Sequence, residues 1–119
     1  MFYPPKNIAL RPRVWLHAAV PPTENSPSRR RMIIYYSGRV QGVGFRYTAK
    51  TVAAGFEIVG TIRNLPDGRV ELIAEGVHAE LEAFRAALRD AGLAGFIQDE
   101  RVELTEVQNG FRNFEIIRQ

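Results

Sequence analysis

The sequence lacks cysteine altogether and contains only one tryptophan and two histidines in 119 residues. Without cysteine the chain can form no disulfide, no thiolate nucleophile and no cysteine-ligated zinc site. It also lacks any apolar run near the roughly 20 residues that a membrane-spanning helix needs, so we expect no membrane contact. Hydrophobic residues make up 45% of the chain and charged residues 24%, which is typical of one globular domain.

Positive charge is concentrated at the start of the chain. Residues 1–31 hold six basic residues against the single acid Glu24, a net charge of +5. The remainder holds ten basic and twelve acidic residues, a net charge of −2. Because this larger part has no basic surplus, it lacks the charge pattern of a nucleic-acid-binding domain, and we expect no nucleic-acid partner.

Proline is distributed just as unevenly. Six of the seven prolines fall within residues 1–31, which show neither the strand period nor the helix period. We therefore predict an irregular or disordered extension over 1–31 and a folded domain over 32–119. Arg11, Arg13 and His17 disfavour a secretory signal, and the prolines disfavour a helical transit peptide. Translation that starts at Met32 is a further reading.

From Met32 onward, apolar residues recur at strand and helix spacings. The patterns predict strands over 32–40, 57–64 and 69–75 and near 101–107 and 112–118, with helices over about 45–55 and 77–91. The order β-α-β-β-α-β plus a terminal strand is that of the ferredoxin-like split β-α-β sandwich. We therefore predict an α+β fold in which two helices cover one face of an antiparallel sheet.

The stretch from Gly38 to Arg46 is the best candidate for a ligand site. It reads Gly-Arg-Val-Gln-Gly-Val-Gly-Phe-Arg and joins the first predicted strand to the first predicted helix. Glycines let backbone amides approach a ligand, and the first amides of a helix lack intrahelical partners at the positive end of its dipole. Such a loop favours phosphate, and Arg46 can hold two phosphate oxygens with its guanidinium group.

Spacing alone leaves other interpretations of this stretch to consider. A simple tight turn is compatible with the three glycines. A Walker loop is excluded because no Gly-Lys-Ser/Thr ends the stretch. A dinucleotide fingerprint is disfavoured because Tyr47 occupies the third glycine position.

The same stretch resembles the signature loop of the acylphosphatase family, Gly-x-Val-Gln-Gly-Val-x-Phe-Arg, at every specified position. Residues 59–64 and 67–71 are similar to the second family signature, a strand ending in asparagine followed by a turn and a strand. The resemblance covers about residues 32–119. Thr61 stands where the family usually has tryptophan, and residues 92–96 replace a Gly-Pro-Pro-like segment, but neither change removes a presumed catalytic group.

The resemblance implies an enzyme without metal or cofactor that hydrolyses a small-molecule acyl phosphate to a carboxylate and inorganic phosphate. It implies that Arg46 binds the phosphoryl group and that Asn64 positions the attacking water. The implied phosphate-binding loop consists of Gln41, Gly42, Val43, Gly44, Phe45 and Arg46. Without the resemblance, Asn64 reads as a turn-capping amide. We further expect a monomer in the cytoplasm.

The alternative function is a non-catalytic anion- or RNA-binding module on the same fold. RNA-recognition domains share this order of elements and stack bases on aromatic residues of the central strands. The predicted third strand, residues 69–75, has no aromatic residue, and Tyr35 and Tyr36 on the first strand do not suffice. The presence of both Arg46 and Asn64 disfavours a degenerate domain that binds without turnover.

Overall fold

Five strands and two α-helices lie along residues 28–118, the part of the chain that the computed structural model describes. The elements are β1 (Arg29–Gly38), α1 (Phe45–Ala53), β2 (Ile58–Asn64), β3 (Val70–Val77), α2 (His78–Leu88), β4 (Ile97–Thr105) and β5 (Phe114–Ile116). None of the helices in this part is long and apolar enough to cross a membrane. Most of the predicted N-terminal extension lies outside the described residues, so its irregular character stays a prediction.

The strands form one sheet in the order β4-β1-β3-β2-β5. Neighbouring strands are antiparallel except for β2 and β5, which are parallel. Strands β1 and β2 therefore run in the same direction with β3 between them, which is the split β-α-β arrangement and confirms the predicted fold class. The sheet is mixed rather than wholly antiparallel. After β4 at one edge, the chain crosses to the other edge, where β5 runs parallel to its neighbour β2.

One face of the sheet and both helices enclose the apolar core. Alternation along β1 buries Met32, Ile34 and Tyr36 completely, while the intervening side chains face the other side. Helix α1 buries four residues at helical spacing: Phe45, Ala49, Val52 and Ala53. Each fully buried large apolar side chain contributes roughly 1.5–3 kcal/mol, so this face fixes which way both helices lie.

Strand β1 begins three residues earlier than the sequence predicted. Arg29, Arg30 and Arg31 pair with Val77, Gly76 and Glu75 of β3, so the predicted domain boundary at Met32 falls inside a strand. The missing apolar period predicted an irregular segment here, but charged residues suit a strand whose outer face is open to water. Residues 29–31 therefore belong to the sheet.

The ends of several other elements also differ from those that the sequence periodicity predicts. Helix α2 ends at Leu88, and Ala91 lies in an irregular helical turn, Arg89–Leu93, where it still packs against the core. Strand β4 begins at Ile97 rather than near residue 101, because the exposed polar residues 98 and 99 conceal its first part from an apolar pattern. Strand β5 is limited to three residues.

Glu75 is the one buried charged residue in the described part of the chain. Its carboxylate accepts a hydrogen bond from Arg31 Nε at 2.7 Å and from the backbone amides of Gln108 and Asn109 at 2.8 and 3.1 Å. The Arg31 guanidinium also lies 5.2 Å from the centre of the Phe111 ring. Glu75 thus fastens the segment between β4 and β5 to the centre of the sheet.

The environment of Glu75 makes stability depend on pH. Burial alone would raise the pKa of Glu75, but the hydrogen bonds from Gln108, Arg31 and Asn109 outweigh it, and the net shift is downward from 4.5. A depressed folded-state pKa stabilises the fold above the ordinary value, and this contribution is lost as the pH falls through the folded-state pKa.

We therefore expect Glu75→Gln to lower the free energy of unfolding by about 3 kcal/mol near neutral pH, the lower end of the cost of breaking a buried ion pair. The difference from the parent should shrink as the pH falls below 4.5. Urea titrations of both proteins across this range would measure it, with the exposed Glu115→Gln as control. A difference that stays constant or grows in acid would contradict this account of Glu75.

Candidate active site

The loop between β1 and α1 turns sharply at two glycines. Gly42 and Gly44 have φ angles of +79° and +80°, in the left-handed region that side chains disfavour. A Cβ atom at either position would meet no atom within 4 Å, so the backbone conformation, and not crowding, requires glycine. The two turns lead the chain into α1, at whose start no side chain forms a capping hydrogen bond.

Helix α1 begins at Phe45 with no capping side chain. Gly44 is the N-cap residue, and its carbonyl accepts the first helical hydrogen bond from the Thr48 amide at 2.9 Å. By helical geometry the amides of residues 45–47 have no acceptor within the helix, and they lie at the positive end of its dipole. The first turn holds no acidic residue. This end of the helix can therefore accept an external anion.

Apolar side chains hold the loop from below. Phe45 is buried, and its ring centre lies 4.8 Å from that of Tyr36 on β1. Val43 packs against the edge of the same core. With these side chains turned inward, the backbone around Gly42 and Gly44 is left at the surface of a cavity.

Gln41 connects this loop to the turn that follows β2. Its side-chain amide donates to the carbonyl oxygens of Leu65 and Arg69, both at 2.9 Å. Arg69 O also accepts from the Leu65 amide at 2.8 Å, so both hydrogen bonds of Gln41 end on the closed base of the β2–β3 hairpin. The glutamine of the sequence motif thus fixes the distance between the loop and the end of β2.

Asn64 is the last residue of β2 and lies directly before that hairpin turn. It pairs with Val70 across the ladder, and it lines the cavity. A side-chain cap of the turn is provided by Asp67, whose carboxylate accepts from the Arg69 amide at 3.0 Å. The structure therefore places Asn64 next to the glycine loop, although the two are distant in sequence.

The cavity at this point has a volume of ≈ 190 Å³. A water molecule occupies roughly 30 Å³ of the liquid, so there is room for a phosphoryl group and a water together. The residues that line it come from the loop, the first helix and the ends of two strands, and they include Gly42, Gly44, Arg46, Asn64, Ile116 and Arg118.

The charge of the cavity is positive. Its lining includes the arginines Arg46 and Arg118 and, within residues 28–118, no acidic residue and no histidine. Neither arginine forms a salt bridge within the described part of the chain. Residues 28–118 also contain no group of three His, Cys, Asp or Glu side chains that could hold a metal ion. The chemistry available here is that of an anion site.

A larger cavity of ≈ 460 Å³ lies between α2 and β4 but is less suited to an anion. Its arginines, Arg85 and Arg89, both pair with the Glu100 carboxylate, and Arg85 also contacts Glu82. Because these cations are already neutralised, the smaller cavity beside the glycine loop is the better site for a charged ligand.

The structure brings together most of the site residues that the sequence predicted. Gly42, Gly44, Phe45 and Arg46 line the cavity with Asn64. The side chains of Gln41 and Val43 instead contact the hairpin and the core, and neither residue lines the cavity. The roles of all these residues stay predictions at this point.

Four further residues line the cavity that the predicted site did not include, and besides Val40, directly before the loop, they are Tyr47, Ile116 and Arg118. Tyr47 follows Arg46 directly, and its 73% exposure could have been read from its position on the outer side of α1. Ile116 and Arg118 could not have been found by spacing, because they reach the site only through the pairing of β5 with β2.

Fold and cavity together define a small α+β protein with a positively charged cavity at the start of a helix. The family model described as Acylphosphatase matches residues 32–116. A curated acylphosphatase of Nostoc is 40% identical over 97 residues, 79% of this chain and 95% of its own length. That of Archaeoglobus fulgidus is 40% identical over 83 residues, 70% of this chain and 92% of its own length.

Solved structures agree with the sequence matches. The crystal structure of acylphosphatase from Bacillus subtilis superposes with a TM-score of 0.68 at 34% identity, covering 74% of this chain and 98% of that one. The chain belongs to the acylphosphatase family. The prediction of an acylphosphatase enzyme, made from the two sequence motifs, is confirmed.

The position of Gln41 leads to a test of how the site is held together. In Gln41→Ala both hydrogen bonds to the hairpin are lost, and we expect the free energy of unfolding to fall by about 1–3 kcal/mol. Turnover should fall further, by roughly tenfold to a hundredfold, because Asn64 is no longer held at a fixed distance from the loop.

Urea titration and kcat measured on the same preparations would separate the two effects. Gln98→Ala, at an exposed glutamine of β4, is the matched control and should change neither quantity. A stable Gln41→Ala protein with parental kcat would show that the hydrogen bonds to Leu65 and Arg69 do not position the site.

Proposed function

We propose that the cavity beside the glycine loop is the active site and that it hydrolyses the carboxyl-phosphate bond of acyl phosphates. The observation that carries this proposal is the meeting of Arg46, the glycine loop and Asn64 at one small cavity, although Asn64 belongs to a different strand. Its positive charge suits a phosphoryl group, and its size suits one phosphoryl group and a water.

The phosphoryl group binds at the start of α1. Its non-bridging oxygens accept hydrogen bonds from the backbone amides of the loop and of the first helical turn. Arg46 adds a planar pair of donors that can hold two of these oxygens at once. Because donors and charges are fixed before the substrate arrives, they stabilise the transition state without reorganising.

Asn64 orients the water that attacks phosphorus. The water oxygen forms a new bond to phosphorus as the bond from phosphorus to the acyl oxygen breaks, and the electron pair of that bond leaves with the carboxylate. The two protons of the water end on inorganic phosphate or in solvent. Attack and departure are in line, so the acyl group lies on the side of phosphorus opposite Asn64.

The nature of the leaving group explains why so few side chains suffice for catalysis. A carboxylate has a conjugate acid with a pKa near 4, so it departs as a stable anion without a proton donor. Phosphoryl transfer through a loose transition state then needs mainly positioning and charge stabilisation. The lining formed by the described residues, with its two arginines and one asparagine, offers these functions.

Other expectations from the sequence concern the setting of this reaction. A small acyl phosphate as the partner follows from the family. The absence of a nucleic-acid partner, the monomeric state and the cytoplasmic location stay predictions. On the open face of the sheet, the Tyr35 ring lies 4.7 Å from the Arg69 guanidinium carbon, so this aromatic is covered by a cation rather than presented to a base.

The proposed roles of Arg46 and Asn64 differ in a measurable way. Arg46 binds the negative charge of the phosphoryl group, which is present throughout the reaction. Arg46→Ala should therefore both abolish measurable turnover and weaken phosphate binding. Arg46→Lys should not restore turnover, because a point charge cannot reproduce two parallel hydrogen bonds. Asn64→Ala should lower kcat by about 10²–10³, as on loss of one preorganised donor, and leave phosphate affinity within a few-fold of the parent.

The measurement is a matched set of kcat values and phosphate inhibition constants with benzoyl phosphate as substrate. Lys50→Ala, which removes an exposed cation one turn further along α1, is the control for net charge. If Asn64→Ala keeps a near-parental kcat, Asn64 supports the turn only and another group positions the water.

A further inference from the structure

Arg118 lies at the active site although neither sequence motif contains it. Strand β5 runs parallel to β2, with Ile116 paired to Ile62, and the Ile117 amide donates to Ile62 O at 2.9 Å. Continuing this register by two residues places Arg118 beside Asn64. Ile116 and Arg118 both line the cavity, as alternation along an extended chain requires, while Ile117 is 40% exposed.

The positive charge of Arg118 is not neutralised by any carboxylate among the residues that the structure describes. It forms no salt bridge there, and no carboxylate lines the cavity that it shares with Arg46. By contrast, Arg31, Arg63 and Arg85 each pair with a carboxylate at 2.6–2.8 Å. The cavity therefore presents two positive charges to whatever anion enters it.

The phosphoryl group has the charge that matches this pair. A phosphate ester has a second pKa of about 6, so at neutral pH it carries close to two negative charges. Arg46 at the start of α1 provides one positive charge and Arg118 at the end of β5 provides the other. The two approach from different elements and so can contact different oxygens.

In-line attack on phosphorus favours the phosphoryl group over the acyl group as the part of the substrate that Arg118 contacts. The proposed role of Asn64 places the attacking water on its side of phosphorus, with the acyl group on the opposite side. Arg118 lies on the same side as Asn64, since both continue paired strands. We therefore expect its guanidinium to contact the phosphoryl oxygens rather than the acyl chain.

We propose that Arg118 is a second phosphoryl-binding residue, which attracts and holds the dianion before the reaction. The inference rests on the proposed function in taking the phosphoryl group as the ligand. Arg118 is exposed and follows the last strand, so it acts as a charge and not as a rigid pair of donors. It should therefore contribute to ground-state binding and little to the chemical step.

The test measures binding of inorganic phosphate to the full-length protein by calorimetry, because phosphate has no acyl group and needs no turnover. Arg118→Gln should weaken phosphate binding by about fivefold, as expected for one partly solvated charge pair. Arg118→Lys should restore affinity to within about twofold, because a point charge is all that Arg118 is proposed to supply. Arg112→Gln removes an exposed arginine just before β5 and should leave the affinity unchanged.

Kinetics with two substrates complete the test. For benzoyl phosphate and acetyl phosphate alike, Arg118→Gln should raise KM by the same factor and leave kcat within about twofold. An unchanged phosphate affinity, or a KM effect limited to one substrate, would overturn the proposal, the latter in favour of contact with the acyl group. A loss of affinity that Arg118→Lys does not restore would also overturn it, because it would indicate a structural role.

Failure of the proposed function has a different signature. If the parent protein bound phosphate and Arg118→Gln weakened that binding, but neither acyl phosphate were hydrolysed, the assignment of Arg118 would stand and the catalytic proposal would fall.

Discussion

The hydrogen bonds from the Gln41 side chain to Leu65 O and Arg69 O are the contact on which the site depends. In the proposed mechanism the glycine loop binds the phosphoryl group and Asn64 at the end of β2 orients the water, so the two must be held close together. Gln41 joins the two at 2.9 Å on each acceptor, so that loop and hairpin cannot separate without breaking both bonds. We therefore expect turnover to depend on Gln41, although its side chain binds the hairpin and does not line the cavity.

Apolar packing and the placement of charges add to the effect of the Gln41 hydrogen bonds on the site. Phe45 and Val43 pack the loop against the core, which leaves Gly42 and Gly44 at the surface of the cavity. Acidic side chains elsewhere are used to neutralise arginines, at Arg31, Arg85 and Arg89 for example, whereas within residues 28–118 none lines this cavity. The electrostatic field at the site is therefore that of the helix end and two arginines, which is suited to a phosphoryl dianion.

The sequence predicted the fold class and the local part of the site, because both depend on short-range patterns. Alternation and helical spacing identified the elements, and the loop from Gly38 to Arg46 is contiguous. The sequence could not predict the start of β1, because this start depends on a contact that is distant in sequence: Arg31 pairs with Glu75, 44 residues away. The parallel pairing of β5, and with it the position of Arg118, depends on the route of the chain across the sheet and leaves no periodic signal.

A titration of the isotope-labelled, full-length protein with inorganic phosphate tests the central claim most directly, since it locates the anion without turnover. If the start of α1 is the phosphoryl site, the largest amide shift changes will occur in residues 42–46, with a change at the side-chain amide of Asn64. Shift changes centred on Arg85 and Arg89 in the larger cavity, with residues 42–46 unaffected, would contradict the account.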